Sequence, residues 1–523
     1  MNYCHIEAGR VGADGEHSRI LGWVSSKNEK PLQTAQFLIQ KSSPYVIPIL
    51  HHHFNYLTMK YLHTLLLGAV AYCSPLLMQA QTAPVLTTFP VGSTTVSVSA
   101  LATGLTVPWE LVWGPDNFIW MTERGGRISR VNPATGQVTP LVTLADVVTS
   151  SEGGLLGMAL HPDLLTTSPY VYVVYNYNDA GGQYREKLVR LTYANGALSS
   201  PLVLLGDISA VSTHSGSRLL ILPDRTLLMT TGDAQNRPSA QDRASLNGKI
   251  LRLNLDGTIP ADNPVAGNAS YTYGHRNPQG LVRAGNGKIY SSEHGENAED
   301  EVNIIEPNRN YGWPTVEGLC NLASEQSFCA ANNVREPIFT WAPTVGCSGI
   351  TYYDHPAIPG WRNSLLALSL KGSKLTQIPL DATGSTAGTG AFTLTSFGRL
   401  RSICISPQGK VYVGTSNRDG RATPGANDDQ ILVLENKLFT STVKANTNQL
   451  SLWPNPARTS LTLQLASPAP HITRADIQDA VGRVVRTTQF SAGQRTVQVP
   501  LQGLTPGLYS IRSNNVVQRF VVE

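Results

Sequence analysis

The sequence predicts an all-β protein, namely a six-bladed β-propeller followed by a small C-terminal β-sandwich. The composition is the first observation: 46 Gly and 33 Pro among 523 residues, with 41% hydrophobic and only 15% charged residues. This mixture favours many tight turns and disfavours disorder, helical bundles and coiled coils. The second observation is a repeated pattern of two apolar runs joined by a turn. The third is an alternating apolar and polar pattern in the tail.

Length and charge set the next limits. A chain of 523 residues exceeds what one hydrophobic core usually supports, so we expect more than one domain. The 40 Lys and Arg nearly balance the 36 Asp and Glu, which leaves a net charge of +4. This balance argues against a nucleic-acid-binding protein.

The first eighty residues predict a processed leader. Residues 1–58 have no periodicity and precede a credible start methionine, so we interpret them as a mis-assigned translation start. Residues 59–80 combine a basic start, the apolar run Leu65–Met78 and a small residue at Ala80. That order is typical of a secretory signal peptide, and the run is short for a transmembrane helix. A buried core helix is the alternative.

The repeat consists of hairpin signatures, in which a Gly, Pro, Asp or Asn turn separates two apolar runs. Five turns lie 47, 61, 63 and 121 residues apart, and the last interval is about two periods. The six copies are Leu111–Trp120, Met158–Val174, Leu220–Met229, Val282–Tyr290, Gly360–Leu368 and Ile405–Val413. This spacing predicts a six-bladed propeller over residues 95–438. The fold alone does not specify a function.

A polar linker, Lys444–Gln449, separates this region from the tail. Residues 449–523 contain alternating strands, a Pro-Asn-Pro start, the segment Gly507–Arg512 and a terminal apolar strand. These features resemble the type A C-terminal sorting domain of the type IX secretion system. The resemblance implies recognition by that machinery and a secreted or cell-surface location. A carbohydrate-binding or immunoglobulin-like module is the alternative.

Four cysteines remain after the leader, and this even number permits disulfides in an exported protein. Cys320 and Cys329 are the favoured pair because both lie in one loop-like stretch. Cys347 and Cys404 are the other two. A zinc site is disfavoured because no Cys or His stands at the usual ligand spacing.

Several polar motifs exceed what strand formation needs. In chain order they are Glu152–Gly157, Lys249–Pro260, Gly274–Gly280, Ser292–Gly295 and Asn310–Pro314. Together they resemble the soluble PQQ-dependent glucose and aldose sugar dehydrogenases, over residues 101–435. The resemblance implies oxidation of an aldose at C1 to the lactone, with pyrroloquinoline quinone (PQQ) and Ca²⁺. Because no Cys-x-x-Cys-His haem motif occurs, electrons would pass to an external quinone, dye or cytochrome.

Two other functions stay open at this point. The first is a non-catalytic calcium-binding propeller that binds glycans or proteins. The second is a calcium-dependent hydrolase of the lactonase type, which would not need cations for a tricarboxylate cofactor.

The resemblance also implies roles for three catalytic residues. His214 matches the base, since imidazole titrates in the range that proton transfer needs. Asp233 matches the carboxylate that orients this histidine. Arg276 matches a cation that stabilises charge developing on the reduced quinone.

The implied cofactor is a tricarboxylate, so its pocket requires cations. Lys371, Arg399 and Arg401 match the family's positions, and the alternation of the two arginines puts both on one face of a strand. Asn277 and Thr344 match further polar contacts with PQQ.

Calcium binds oxygen ligands, and the family uses backbone carbonyls that match Gly295 and Glu296. Asp300 and Glu301 match positions of a second, structural calcium. Two residues depart from the glucose enzyme, which has proline at Glu296 and glutamine at Glu152, near the substrate. The latter change would alter sugar preference. A shorter segment between 314 and 341 places the sequence nearer the aldose sugar dehydrogenases.

Overall fold

The computed structural model describes residues 84–439, 450–465, 468–469, 472–480, 482–513 and 516–523. The predicted N-terminal extension 1–58, the predicted signal peptide 59–80 and the polar linker lie outside the described residues. Within the described residues, no helix has the length and apolar character that crossing a membrane would require.

The regular secondary structure of the described chain consists almost entirely of β-strands, as predicted. One α-helix, α1 (Ala323–Asn332), and two 3₁₀ turns, Arg237–Ala240 and Pro359–Trp361, interrupt them. The strands up to residue 435 are β1 (Val85–Val91), β2 (Thr94–Ala102), β3 (Pro108–Trp113), β4 (Ile119–Glu123), β5 (Arg127–Val131), β6 (Val138–Thr143), β7 (Leu155–Leu160), β8 (Tyr170–Asn178), β9 (Tyr184–Ala194), β10 (Ala197–Ser209), β11 (Gly216–Ile221), β12 (Thr226–Thr231), β13 (Lys249–Asn254), β14 (Ser270–Tyr273), β15 (Pro278–Arg283), β16 (Ile289–Glu293), β17 (Asp300–Ile305), β18 (Phe339–Trp341), β19 (Cys347–Tyr353), β20 (Ser364–Ser369), β21 (Lys374–Pro379), β22 (Ala391–Thr393), β23 (Leu400–Ile405), β24 (Val411–Thr415) and β25 (Ile431–Glu435).

These strands form antiparallel sheets with neighbouring strands paired in chain order. Five sheets have four strands each: β3–β6, β7–β10, β11–β14, β15–β18 and β19–β22. A sixth sheet in the described region has the order β1-β2-β25-β24-β23, so its outer strands come from the start of the region and its inner strands from the end. The first two strands of each four-stranded sheet, and β23 with β24, form hairpins, and five of these hairpins match predicted copies. The copy Gly360–Leu368 instead covers the turn Pro359–Trp361 and β20, because the first strand of that hairpin, β19, lies upstream of it.

The hairpin turns follow the turn chemistry of the sequence. Asn117 has a φ of 61° and Gly409 a φ of 78°, which are left-handed conformations that Asn and Gly adopt readily. At Gly409 a Cβ atom would also lie 2.1 Å from Nδ1 of His355. A side chain at this turn would therefore require a rearrangement.

The first strands of the sheets contact one another in a closed order: β3, β7, β11, β15, β19, β23 and back to β3. A cavity of about 380 Å³ lies among them and is lined by residues of all six strands. Its lining includes Glu110, Met158, Arg218, Leu281, Ile350 and Ile403. The six sheets therefore surround a common centre.

The apolar core lies between neighbouring sheets. One cluster joins β20 and β21 to the closing sheet through Leu366, Leu375, Val98 and Leu434, with the buried ring of Trp361 among them. Alternation within each strand supplies an apolar face to each neighbour, so both faces of a sheet are buried. Sheet-to-sheet packing therefore holds the ring together.

The tail forms two separate sheets. Its strands are β26 (Leu450–Trp453), β27 (Ser460–Leu465), β28 (Thr473–Gln478), β29 (Val484–Phe490), β30 (Thr496–Pro500), β31 (Gly507–Ser513) and β32 (Val516–Val522). The sheet orders are β26-β27-β30 and β29-β28-β31-β32. One apolar cluster contains Leu461 and Val499 from the first sheet and Ile477, Ile511 and Phe520 from the second. The two sheets therefore share a core.

The favoured disulfide is present between Cys320 and Cys329, with an S–S distance of 2.02 Å. Cys347 and Cys404 are both buried and unpaired in the described structure.

Closure of the ring predicts that truncating two leucines near its end will lower stability by unequal amounts. Leu434 is fully buried and pairs with Val98 and Val411, whereas Leu438 is 88% exposed. We expect Leu434→Ala to lower the free energy of unfolding by about 2–5 kcal/mol, because it leaves a cavity in the closing sheet. Leu438→Ala should change it by less than about 0.5 kcal/mol. Denaturant titrations of both variants measure the difference, and equal stabilities would contradict this packing.

Candidate functional site

The candidate residues lie at one edge of the sheets, although they are far apart in sequence. In each hairpin the start of the first strand pairs with the end of the second, as in Gly216 with Thr231 and Leu400 with Thr415. The candidates immediately before a first strand are Glu152, His214, Arg276, Asn277, Thr344 and Arg399. Those after a second strand are Asp233, Gly295, Glu296 and Lys371.

Hydrogen bonds between neighbouring sheets show that these edges meet. The amide of Glu152 donates to the carbonyl of Ser212 at 2.9 Å, and the amide of Gly216 donates to Oδ1 of Asn277 at 3.1 Å. Nη1 of Arg124, after β4, donates to the carbonyl of Ser151, before β7, at 2.5 Å. The loops at this edge therefore form one connected surface.

His214 and Asp233 form a hydrogen-bonded pair, as the resemblance implied. Nδ1 of His214 lies 2.8 Å from Oδ1 of Asp233, and the indole nitrogen of Trp313 donates to Oδ2 at 2.9 Å. Burial pushes the pKa of Asp233 up, but the hydrogen bonds from His214, Gln235 and Trp313 lower it overall. Asp233 is therefore an ionised carboxylate that holds the imidazole through Nδ1.

Glycine is needed to bring this pair together. A Cβ atom on Gly232 would lie 1.8 Å from the carbonyl oxygen of His214. Gly216 has a φ of 67°, and its Cβ would lie 2.9 Å from the backbone of Thr231. His214 itself has a φ of 57°. The backbones around the histidine thus approach too closely for side chains at these two glycines.

Arg276 lies against the same tryptophan. Its guanidinium carbon is 5.3 Å from the ring centroid of Trp313, and its amide donates to Oε1 of Glu293 at 2.5 Å. Nε of Arg276 is buried and has no hydrogen-bond partner within the described residues. Trp313 therefore contacts both Arg276 and the His214–Asp233 pair.

Asn277 is fully buried, and its side chain makes hydrogen bonds within the protein. Its Oδ1 accepts hydrogen bonds from the amide of Gly216 and from Nε2 of Gln279, at 3.1 and 3.0 Å. Its Nδ2 lies 3.5 Å from Nδ1 of His294, at the long limit for a hydrogen bond. The amide nitrogen therefore stays available for a better acceptor.

The three candidate cations gather near one cavity. Lys371 and Arg399 line a cavity of about 460 Å³, together with Arg421. Nε of Arg399 lies 2.7 Å from Oδ2 of Asp419, and Nη2 of Arg401 lies 3.7 Å from the same oxygen. A shared carboxylate confirms that the two arginines project to the same side, although β23 begins at Leu400, one residue later than expected.

Arg401 differs from the other cations because it is buried. Burial lowers its pKa to about 10, against the opposing effect of Asp419, so it remains charged at neutral pH. Its Nε donates to Oγ of Ser416 at 3.0 Å. Nζ of Lys371, which is exposed, lies 3.4 Å from Oγ1 of Thr344. These cations and hydroxyls suit a ligand with several carboxylates.

Glu152 forms an ion pair across two sheets. Its Oε1 lies 2.9 Å from Nη2 of Arg421. The amide of Arg421 donates to Oδ1 of Asp419 at 2.9 Å. Glu152 is thereby tied to the carboxylate that contacts Arg399 and Arg401.

The carbonyl oxygens of Gly295 and Glu296 receive no hydrogen bond from any residue that the structure describes. Two free backbone oxygens on one loop are the donor type that Ca²⁺ prefers, so this loop fits a calcium ion. The glutamate side chain does not take part, because the carboxylate of Glu296 pairs with Arg237.

Asp300 and Glu301, by contrast, do not share a site. They are neighbours on β17, so their side chains project to opposite faces. Oδ2 of Asp300 accepts the amides of Val345 and Cys347 at 3.0 and 2.8 Å, whereas Oε1 of Glu301 accepts the amide of Gly318 at 2.6 Å. Burial and the charge of Glu293 raise the pKa of Glu301 to about 8. Across the described ranges, no group of three or more His, Cys, Asp or Glu could hold a metal.

Sequence reasoning missed three residues that organise the site. Trp313 and Glu293 lie within motifs already recognised, Asn310–Pro314 and Ser292–Gly295, but their partners are distant in sequence. Asp419 stands in no recognised motif, and only its position after β24 could have indicated a place at this edge.

Comparison with known proteins agrees with this geometry. The family described as Glucose / Sorbosone dehydrogenase matches residues 105–424. Quinoprotein glucose dehydrogenase B of Acinetobacter calcoaceticus is 34% identical over 403 residues, with 60% of this chain and 84% of that protein covered. The chain belongs to the glucose/sorbosone dehydrogenase family.

Other relatives of this family support the assignment. An aldose sugar dehydrogenase of Escherichia coli K12 is 30% identical over 347 residues, which cover 62% of this chain and 91% of that protein. The PQQ-bound aldose sugar dehydrogenase of Streptomyces coelicolor superposes with a TM-score of 0.58 at 34% identity, covering 66% of this chain and 99% of that one. A secretion system C-terminal sorting domain matches residues 451–523. This family member therefore carries a sorting tail for type IX secretion.

Proposed function

We propose that the protein is a secreted quinoprotein that oxidises an aldose at C1 to the lactone, with PQQ and Ca²⁺ as cofactors. One observation carries the proposal: a His–Asp pair and a set of cations suited to a polycarboxylate meet at one edge of a glucose/sorbosone dehydrogenase. The names of the relatives, a quinoprotein glucose dehydrogenase and aldose sugar dehydrogenases, support the substrate class. Electrons pass to an external acceptor.

We infer a six-bladed propeller over residues 95–438 and a β-sandwich over residues 449–523. The closed order of the six first strands and their common cavity support the propeller. The shared core of the two tail sheets supports the sandwich. On this inference the active site is the edge at which the first strands begin.

When bound, PQQ supplies a quinone that accepts a hydride, and Ca²⁺ on the carbonyls of Gly295 and Glu296 supplies a Lewis acid. Nδ1–H of His214 donates to Asp233, so the lone pair of the neutral imidazole resides on Nε2. Nε2 then accepts the proton of the C1 hydroxyl. The ionised Asp233 stabilises the imidazolium that forms, and Trp313 keeps this carboxylate in place.

Arg276 lies close to this pair, its buried Nε has no hydrogen-bond partner within the described residues, and its positive charge would neutralise negative charge on the reduced quinone. Lys371, Arg399 and Arg401 would hold the carboxylates of the cofactor, with Asn277 and Thr344 as neutral hydrogen-bonding partners. Glu152 lies at the rim, where its pairing with Arg421 would restrict which sugars fit.

The alternative is a non-catalytic propeller that binds calcium and a glycan or protein partner. The alternative requires no pairing of His214 with a buried carboxylate and no buried arginine, so these features favour the enzyme. A hydrolase of the lactonase type would likewise leave the cations around the cavity without a purpose.

The tail predicts a separation of export from catalysis. Because residues 449–523 form their own sheets and match a sorting domain, deleting them should leave a folded, active enzyme that stays inside the cell. Fractionation of a type IX-competent host locates the protein, and dye-linked aldose oxidation with PQQ and Ca²⁺ measures its activity. Loss of activity in the purified truncated protein, or its normal export, would contradict this division.

The cations predict the strength of cofactor binding. Lys371→Ala or Arg399→Ala should weaken PQQ binding more than tenfold, since one charge-assisted contact contributes roughly 1.5–3 kcal/mol. Thermal unfolding of the protein without cofactor should change little in Lys371→Ala, because Lys371 is exposed, whereas Arg399→Ala should also lower stability, because it removes a hydrogen bond to the buried Asp419. Fluorescence titration with PQQ gives the affinities. Arg225→Ala, which removes an exposed ion pair with Asp163, is the matched control. Unchanged affinity in both site variants would refute the assignment.

The His214–Asp233 pair predicts variants that bind the cofactors but transfer the substrate proton slowly. We expect His214→Ala to bind PQQ and calcium almost normally and to reduce bound PQQ about 10²–10⁴-fold more slowly with an aldose. Asp233→Asn should fall in the same direction, because the imidazolium loses its counter-charge. Stopped-flow absorbance of the loaded enzymes separates this step from electron transfer to the acceptor.

The same experiment tests the proposed function itself. Wild-type protein loaded with PQQ and Ca²⁺ should reduce its quinone when an aldose is added. If the wild type leaves PQQ oxidised with every aldose tried, the non-catalytic alternative gains. If His214→Ala is as fast as the wild type, another group is the base.

A further inference from the structure

Two carboxylates hold the loop that joins β16 to β17: the amide of Gly295 donates to Oδ1 of Asp300 at 3.1 Å, and the next three amides converge on Glu317. Oε1 of Glu317 accepts hydrogen bonds from three consecutive amides: that of Glu296, that of Asn297 at 2.8 Å and that of Ala298 at 3.1 Å. Successive amides that converge in this way form a concave nest for an anion. Here the anion belongs to the chain itself.

Peptide geometry then fixes the carbonyls of the same loop. In a trans peptide the C=O and N–H groups point in opposite directions. The amide of Glu296 shares its peptide with the carbonyl of Gly295, and the amide of Asn297 shares its peptide with the carbonyl of Glu296. When both amides point toward Glu317, both carbonyls must point away from it. By the same geometry the carbonyl of Asn297, which shares its peptide with the amide of Ala298, also points away, and none of these three carbonyl oxygens accepts a hydrogen bond from a described residue.

The loop and Glu317 are packed too closely to rearrange freely. A Cβ atom on Gly295 would lie 1.8 Å from the carbonyl oxygen of Glu299 and 2.8 Å from Oε1 of Glu317. On the other side, Gly318 has a φ of 78°, and its Cβ would lie 1.5 Å from Oε2 of Glu299. Glycine at both positions allows the carboxylate to reach the three amides.

The segment that carries Glu317 is itself anchored to the sheet. The amide of Gly318 donates to Oε1 of Glu301 at 2.6 Å, and the amide of Leu319 donates to Oε2 of Glu299 at 3.2 Å. The disulfide from Cys320 to Cys329 follows directly. The carboxylate of Glu317 is therefore presented from a fixed support and not from a free loop.

We propose that Glu317 is a positioning residue for calcium: by holding the amides of 296–298, it aims the carbonyls of Gly295 and Glu296 at the cation. The inference rests on the proposed function, since that function places Ca²⁺ on these carbonyls. Glu317 does not itself contact the metal in this proposal. Its role is to position the two ligands and not to act as a ligand. Outer partners of this kind typically change metal affinity 10–100-fold.

The test is a calcium titration of the full-length protein by isothermal titration calorimetry, with PQQ present at constant concentration. Glu317→Ala should weaken Ca²⁺ binding about 10–100-fold relative to the wild type. Glu317→Gln keeps an acceptor oxygen without the charge, so it should recover part of that loss. Glu336→Ala is the matched control, because its carboxylate accepts one amide, that of Cys320, in the same stretch and does not contact the loop. Glu336→Ala should bind Ca²⁺ as the wild type does.

Amide hydrogen exchange of the loop is the second measurement, and it does not depend on metal. Residues 296–298 should exchange faster in Glu317→Ala and remain protected in Glu336→Ala. Wild-type calcium affinity in both Glu317 variants would overturn the inference while leaving the proposed function intact. A wild type that binds no Ca²⁺ would overturn the calcium part of the proposed function and this inference with it. If Glu317→Ala does not fold, the loss in Glu317→Gln decides in the same way.

Discussion

The antiparallel pairing of β2 with β25 is the constraint on which the rest of the structure depends. It joins residues 97–102 to residues 431–435, and it makes the last sheet from both ends of the region. With that sheet complete, β23 contacts both β19 and β3, and the order of first strands has no free end. A ring closed in this way fixes the spacing of the loops at its edge, and hydrogen bonds between neighbouring loops add to that constraint. Precision at the site is therefore a consequence of the scaffold.

The loops add hydrogen bonds to buried carboxylates. A buried carboxylate without such a partner would lower the stability of the fold. Asp233, Glu293, Asp300 and Asp419 are all buried, and each accepts hydrogen bonds from backbone amides or from other side chains. Buried carboxylates without such partners would be strongly destabilising. Because each one connects two segments, the folded loops are held in one arrangement before any ligand arrives. Preorganised dipoles and charges of this kind are the usual source of electrostatic catalysis.

Much of the fold could be predicted from local sequence, because the turn of a hairpin requires particular residues between its two strands. The segments around Asn117 and Gly409 carry the residues that left-handed turn positions require, and five of the six hairpins could be predicted from such turns. The sixth was placed by spacing, and its predicted segment contains only the second strand of the hairpin. The pairing of Val98 with Leu434 could not be predicted, since no local feature of the sequence relates two residues so far apart in the chain. The same distinction applies at the site. His214 and Asp233 follow from the family's motifs, whereas the bond from Trp313 to Asp233 depends on contacts between different sheets.

The alternation of side chains along a strand holds for both pairs of candidate residues, one at the start of β23 and one on β17. Applied to Arg399 and Arg401, two residues apart, it put both guanidinium groups on one side, where they meet Asp419. Applied to Asp300 and Glu301, which are adjacent, it would have predicted opposite faces, but the family's calcium positions took precedence over it. The strand geometry separates these two carboxylates. A transferred ligand set therefore needs to be checked against the period of the element that carries it.

Charge balance at the cavity connects stability to the proposed cofactor. Arg399 and Arg401 share one carboxylate, that of Asp419, and Lys371 contacts only the hydroxyl of Thr344 among its hydrogen-bond partners in the described structure. At this cavity Lys371, Arg399, Arg401 and Arg421 are set against Asp419, Asp428 and Glu152, so positive charge exceeds negative charge by one, and Arg401 is buried. Holding a buried cation with only part of a counter-ion costs free energy. A bound polycarboxylate would supply the missing negative charge, so cofactor binding and folding stability would be thermodynamically linked, and the loaded enzyme would gain stability with the logarithm of one plus the ratio of the free cofactor concentration to its Kd. The same excess of positive charge that would attract the cofactor therefore makes the cofactor-free protein less stable than the loaded one.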